Sequence, residues 1–330
     1  MTPRYLELVC PAGTPAALRT AVEAGADTVY CGFRDETNAR NYPGLNFDRE
    51  EMAEGIRFAH AHGRHVLVAI NTFPRPGQVA LWHRAIDDAA ALGANAVILA
   101  DIGLLDYASG HHPGLRLHLS VQAAASNTLS LAFYRERFGI RRAVLPRVLT
   151  VKEIGALVER MGVEAEVFAF GSLGTMTEGR CILSSYLTGR SPSSDGVCAP
   201  AEHVSLSEED GEMVMRLGPL TMNRFGRDEP AGYPTPCKAR LVARGIPSYL
   251  FDEPVGLNMI ELLPELKAAG VTALKIEGRQ RSRAYVAQVV RAFRATLDAL
   301  DRDGRAPRID LSAIAEGSKE TLGAYRKGWR

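Results

Sequence analysis

One phrase recurs along this chain: a helical stretch ending in Gly plus a small residue, then a short apolar run. It reads AVEAGADTVYCG over Ala21–Gly32, ALGANAVILAD over Ala91–Asp101, FGIRRAVLPR over Phe138–Arg147 and AAGVTALKIEG over Ala268–Gly278. Gly63 and Gly162 precede two more runs, HVLVAIN (His65–Asn71) and VEAEVFAFG (Val163–Gly171); ELVC (Glu7–Cys10) and RLHLSVQ (Arg116–Gln122) bring the count to eight. Glycine just past a helix takes the left-handed conformation at little cost. A short apolar run suits a strand buried on both faces, as a parallel sheet requires. Helical patterns such as Glu50–His62 and Gln78–Leu92 lie between the runs. Strand alternating with helix predicts a parallel α/β fold, and eight units favour a closed (β/α)8 TIM-like barrel over an open sheet. No G-x-G-x-x-G follows the first run, so the usual dinucleotide fingerprint is missing.

The spacing breaks once. About 100 residues separate the seventh run, ending at Gly171, from the eighth, near Val271. A crossover needs only a dozen or so. The chain therefore divides into barrel strands one to seven (1–171), an insertion (172–265) and the last strand with a final helix and tail (266–330). The length of 330 residues fits a barrel of ~250 plus such an insertion. The insertion leaves from the C-terminal face, where barrel enzymes keep their active sites. Ser191–Gly196 (SPSSDG) and Asp228–Pro236 (DEPAGYPTP) read as loops, Tyr285–Leu300 as a helix, and the polar tail after Asp301 as loosely packed.

Lys plus Arg number 39 and Asp plus Glu 38, a net charge of +1. A balance so near zero leaves no overall footprint for nucleic acid or an anionic membrane. No run approaches the ~20 apolar residues of a membrane span, and the first residues lack a secretory pattern, so a cytoplasmic location is expected. In a reducing compartment, five cysteines are not a disulfide framework. Cys181, Cys198 and Cys237 all fall in the insertion, spaced by 17 and 39 residues. No C-x-x-C pair exists, which argues against a zinc ribbon. Glycine, proline and polar neighbours place Cys198 and Cys237 in loops rather than a packed core. Soft thiolates there suit an iron–sulfur cluster, zinc or copper. His203 reads as a surface residue rather than a zinc ligand.

Polar residues at the C-terminal ends of barrel strands are the usual chemical positions. They are Asn71, Asp101, Gln122, Arg147 and Glu277, with Arg279 just beyond. Glu277 and Asp101 are the candidate catalytic carboxylates, Glu277 moving a proton if its site raises its pKa. Arg147 and Arg279 could clamp a dicarboxylate, with Asn71 and Gln122 as further ligand contacts. The competing reading pairs Arg147 with Glu277 and makes Asp101 a helix cap. Neither G-x-S-x-G nor H-E-x-x-H occurs, so nucleophilic and zinc-peptidase chemistry find no support.

The run EVFAFGSLG…EGRCILSSYLTG (Glu166–Gly189) resembles the signature of the collagenase-like U-type peptidase family, E-x-F-x-x-G-S-L-C followed by G-x-C-x-L-S. Longer stretches are similar to its bacterial ubiquinone-biosynthesis branch: CPAG (Cys10–Gly13), TNARNYPGLNF (Thr37–Phe47), VLPRVL (Val144–Leu149), AGYPTPCK (Ala231–Lys238) and KIEGRQRS (Lys275–Ser282). The resemblance implies a hydroxylase subunit, not a peptidase. It implies a [4Fe–4S] cluster on four cysteines and a UbiV-like homologous subunit as heterodimer partner. The reaction it implies is O2-independent hydroxylation of a ubiquinone precursor, with prephenate as hydroxyl source. Asn38 and Arg40 match the family text and join the substrate-binding candidates. Carried over residue by residue, the ligands are Cys181, Cys198 and Cys237, and the fourth position holds Gly174, which has no ligand atom. A cluster on three thiolates with a surrogate such as Glu178, a three-iron cluster, or no cluster all remain open. Cys10 and Cys31 are alternative ligands, although strand packing accounts for both. Two rivals stand beside this reading: an RNA-hydroxylation enzyme of the same family, and a non-catalytic partner subunit.

Overall fold

The eight apolar runs form the staves of a closed barrel. This computed structural model describes residues 5–174, 181–229, 235–249, 255–307, 309–315, 317 and 319–326. The first seven units run β1 (Glu7–Pro11), α1 (Pro15–Glu23), β2 (Thr28–Cys31), α2 (Arg49–Ala61), β3 (His65–Ile70), α3 (Val79–Ala91), β4 (Ala96–Leu99), α4 (Ile102–His111), β5 (Arg116–Leu119), α5 (Thr128–Phe138), β6 (Arg142–Val144), α6 (Val151–Met161) and β7 (Glu164–Ser172). The insertion carries α7 (Ile182–Thr188), α8 (Pro192–Asp195), β8 (Val204–Glu209), β9 (Glu212–Leu217), β10 (Leu220–Phe225), β11 (Arg240–Ala243), β12 (Ile246–Tyr249) and β13 (Gly256–Asn258). Then follow α9 (Leu263–Ala268), β14 (Ala273–Ile276), α10 (Arg283–Asp303) and β15 (Glu320–Thr321). Strands β1 to β7 pair in parallel with their neighbours, and β14 closes the ring by pairing in parallel with both β1 and β7. Gly139 and Gly162, which end α5 and α6, take positive φ of 68° and 65°, the left-handed caps the sequence phrase requires.

Alternation along each strand sorts its side chains. Leu8, Cys10, Val29 and Cys31 enter the large core between strands and helices. Val9, Tyr30, Leu67, Ala69, Ala96, Ile98 and Ala273 form a smaller apolar cluster inside the ring. The interior is polar towards β5, β6, β7 and β14. There, buried Glu166 accepts from Lys275 Nζ at 2.6 Å and from Arg142 Nη1 at 3.3 Å. Arg142 also pairs with Glu7 and, at 2.7 Å, with Glu164. Charges this deep are costly unless paired and hydrogen-bonded, and each of these is.

In the insertion, β8, β9 and β10 form an antiparallel sheet, and β11 and β12 a hairpin. Met215, Leu217, Met222, Phe225, Ala199 and Ala239 form its own small core. Two loop expectations are corrected. Within SPSSDG, Pro192 at the first helical position and Gly196 in the left-handed cap make the single turn α8. The tail is tied down rather than loose. Strand β13 pairs antiparallel with β7 and offers its other edge to β15. Leu311, Ala324 and Tyr325 are buried, and Tyr325 Oη donates to the Phe168 carbonyl at 2.9 Å. Of DEPAGYPTP, residues 230–234 lie outside the described residues. Among the described residues, no helix is long and apolar enough to cross a membrane.

Candidate functional site

The C-terminal mouth of the barrel gathers one carboxylate and three guanidiniums. Glu277 follows β14, its amide bonded to the Phe170 carbonyl at 2.8 Å. Arg147 follows β6; its Nη2 lies 2.5 Å from Glu277 Oε2, and its guanidinium stacks 3.5 Å above the Phe168 ring. Arg40, from the loop after β2, brings Nη2 to 3.8 Å from the other carboxylate oxygen. The pairing of Arg147 with Glu277 is thus present.

Arg279 lies deeper, with 7% of its surface exposed. Its Nη1 donates to Asn38 Oδ1 at 3.3 Å, and its guanidinium lies 5.4 Å from the Tyr30 ring centre. Burial pulls its pKa down to about 10. Asn38 is itself buried; its Oδ1 also accepts from the Arg40 amide at 2.9 Å, and its Nδ2 donates to the Phe33 carbonyl. Gly13 makes room for this arrangement. A Cβ there would lie 1.8 Å from the Arg279 carbonyl oxygen. Asn71 braces the same loop by accepting from the Ala39 amide at 3.0 Å. Gln122 is buried in the single turn 121–123 after β5. Asp101 accepts from the Leu104 amide at 3.0 Å and caps α4, so its carboxylate is engaged by the helix rather than by the Arg147–Glu277 group.

The three insertion cysteines share one neighbourhood beside this group. Cys181 caps α7, its Sγ accepting from the Ser184 amide at 3.4 Å, while Ser184 Oγ donates to the Cys198 carbonyl at 2.5 Å. Two residues before Cys198, Gly196 packs on the loop after β2: a Cβ there would stand 2.4 Å from the Asn38 carbonyl oxygen. Burial pushes the Cys198 thiol up, Arg40 draws it down, and Cys237 and Cys181 raise it again by mutual repulsion. Tyr42, raised by burial above its ordinary range, hydrogen-bonds Cys198. Cys237 lies in the turn Pro236–Lys238, and Lys238 Nζ donates to Ser172 Oγ at 3.0 Å. Arg40 therefore carries the electrostatic link between thiols and carboxylate.

Cys181 and Cys237 lie close enough to Cys198 for all three thiols to act on one another electrostatically, so they are the residues that could hold an iron–sulfur cluster. Among the described residues no group of three His, Cys, Asp or Glu side chains is arranged to hold a single metal ion. A cluster needs no such convergence, because each thiolate binds a different iron. At Gly174 a Cβ would meet nothing within 4 Å among the described residues. Glu178 lies outside the described residues. Cys10 and Cys31 face the barrel's outer core, with Cys31 Sγ 3.5 Å from Met52 Sδ, and burial pushes Cys31 up to about 12. Sequence reasoning missed Tyr30 and Tyr42. Tyr30 was accessible as an inward position in TVYC; Tyr42 sits in an irregular loop without periodicity.

A (β/α)8 barrel with polar groups at its C-terminal mouth and a cysteine-bearing insertion beside them defines the class. Residues 13–329 match the model of peptidase family U32, and the chain belongs to that family. It is 32% identical over 311 residues to tRNA hydroxylation protein P of Escherichia coli, spanning 88% of this chain and 68% of that protein. Against tRNA hydroxylation protein P1 of Bacillus subtilis it is 31% identical, spanning 90% and 64%. Against the Escherichia coli 23S rRNA 5-hydroxycytidine C2501 synthase it is 28% identical, spanning 96% and 42%. The chain thus covers about two thirds of the first two relatives and less than half of the third. The solved U32 peptidase Mk0906 has the same fold, with a TM-score of 0.51 and 13% identity over 86% of this chain and 96% of that one.

Proposed function

We propose that this chain is a UbiU-like cytoplasmic hydroxylation subunit. It carries a [4Fe–4S] cluster, works with a UbiV-like homologous subunit, and hydroxylates a ubiquinone precursor without O2, taking the hydroxyl from prephenate. The observation that carries the reading is Arg40, which faces both Glu277 at 3.8 Å and the thiol of Cys198, one of three neighbouring cysteines. Cys181, Cys198 and Cys237 would hold the cluster, which when bound would supply one-electron chemistry at the mouth. Glu277, held between Arg147 and Arg40, is the group placed to take or return a proton at the mouth. Arg147, stacked on Phe168, fixes the orientation of that carboxylate.

The relatives' names favour a second reading, RNA hydroxylation. The part of the rim after β4, β5 and β6 favours a small apolar acceptor instead. The loop at residues 120–127 after β5 carries no charge, and residues 145–150 after β6 carry only Arg147, already engaged. Ile102, Leu129 and Val148 stand exposed on three consecutive units of that rim. An RNA surface would need free cations there. The deciding experiment deletes the gene and grows the cells without oxygen. Ubiquinone should fall while hydroxylated tRNA and rRNA nucleosides persist. Loss of a hydroxynucleoside with ubiquinone intact would assign the chain to RNA. Ubiquinone loss rescued by Glu277→Gln would make it a non-catalytic partner.

A further inference from the structure

We propose that Ser184 is a positioning residue of the cluster site: it clamps Cys181 and Cys198 into one unit, so that two of the three thiols keep a fixed spacing. The inference rests on those cysteines being the cluster ligands and concerns this chain's own side chains. Cys181 and Cys198 are 17 residues apart. The stretch between them holds only α7 and the single turn α8, and no strand ladder fixes one end against the other. Such a loop leaves its ends free to separate unless a link closes it.

Ser184 supplies that link through both of its donors. Its backbone amide donates to Cys181 Sγ at 3.4 Å, and its hydroxyl donates to the Cys198 carbonyl at 2.5 Å. The first bond follows from the start of α7. The early amides of a helix lack an intrahelical acceptor, and the sulfur at the cap takes the third of them. The second bond does not follow from helix geometry. A hydroxyl in a helix commonly bonds back to a carbonyl one turn earlier, as Ser185 does to Cys181 at 3.2 Å and Thr188 to Ser184 at 2.8 Å. Ser184 instead crosses to another segment and is fully buried there, while Ile182 and Tyr186 of the same helix stand exposed. The Cys198 segment is also held from the barrel, where Gly196 packs so closely that a Cβ would stand 2.4 Å from the Asn38 carbonyl oxygen. Cys237 is tethered separately, through Lys238 Nζ on Ser172 Oγ at 3.0 Å. Ser184 therefore governs one pair of thiols and not the third. Its amide, by donating to a ligand sulfur, also bears on how readily a cluster there takes an electron.

The test needs no turnover. Wild type, Ser184→Ala, Ser184→Thr and Ser185→Ala are purified anaerobically, analysed for iron and sulfide, challenged with the chelator bathophenanthroline disulfonate, and titrated with dithionite under electron paramagnetic resonance. Ser184→Ala should release iron about tenfold faster than wild type. The cluster it retains should show a more negative reduction potential and shifted g-values, because the loosened Ser184 amide no longer meets Cys181 Sγ. Ser184→Thr keeps the hydroxyl and should match wild type in release rate and potential. Ser185→Ala removes a hydroxyl that bonds only within α7 and should match it too. Release and potential in Ser184→Ala equal to those of wild type would overturn the proposal. Equal losses in Ser184→Ala and Ser185→Ala would overturn it as well, since they would trace to α7 as a whole rather than to the clamp. Wild type without iron and sulfide would remove the cluster reading and this inference with it. If Ser184→Ala behaves as expected while the gene deletion leaves ubiquinone intact, the clamp stands and the hydroxylation reading fails alone.

Discussion

At the scale of single residues, the mouth is organised by which charges are matched and which are not. Glu277 and Arg147 are mostly buried, with side chains 20% and 11% exposed. Glu277→Gln should therefore cost about 3 kcal/mol in a urea titration, since it strands Arg147, and should lower hydroxylation about 100-fold. His118 makes a second residue-level case. It is 1% exposed and its Nδ1 has no hydrogen-bond partner among the described residues. Burial first, then Arg142, Arg116 and Lys275, hold its pKa well below the ordinary histidine value. The folded chain thus keeps it neutral while the unfolded chain takes a proton below about pH 6.5. The unfolded state binds more protons there, so stability contributed by neutral His118 is present above that pH and is lost as pH falls. Urea midpoints at pH 7 and pH 5 should differ less in His118→Gln than in wild type. An unchanged difference would show that His118 charges in the fold.

At the scale of elements, the tail is the part whose role depends on contacts rather than local pattern. Tyr325→Phe should cost about 1 kcal/mol, the net value of its bond to the Phe168 carbonyl. A loss within error of zero would mean the tail does not brace the barrel. That tail also marks where the sequence was hard to read. The barrel was legible because eight buried strands repeat one period and one cap, so Thr28–Cys31 and Arg116–Leu119 fall inside the runs read for them. The final pairing of β15 with β13 joins residues far apart in the chain through a two-residue strand, too short to carry periodicity. SPSSDG shows the same limit: proline and glycine punctuate loops and cap single helical turns alike. At the site, strand ends flagged Arg147, Glu277 and Arg279, whereas Tyr42 reaches Cys198 from a loop whose path only the tertiary fold fixes.

At the scale of the whole molecule, the barrel supplies a rigid mouth and the insertion brings thiols to its edge. The two meet along the β13–β7 pairing, where Gly196 packs on Asn38, where Arg75 pairs with Asp195, and where the Phe73 amide meets the Ser193 carbonyl at 2.9 Å. A Gly174→Cys chain should fold as wild type, since a Cβ there meets none of the described residues within 4 Å, and should hold iron more tightly against a chelator. Unchanged iron release would mean that this corner does not face the cluster. The central claim, that Cys181, Cys198 and Cys237 hold an iron–sulfur cluster at the barrel mouth, is tested most directly by iron and acid-labile sulfide analysis of anaerobically purified wild type and Cys198→Ser. Wild type should carry iron and sulfide in equal amounts, about four of each per chain, and Cys198→Ser should lose both. Zinc without sulfide, or iron and sulfide undiminished in Cys198→Ser, would contradict it.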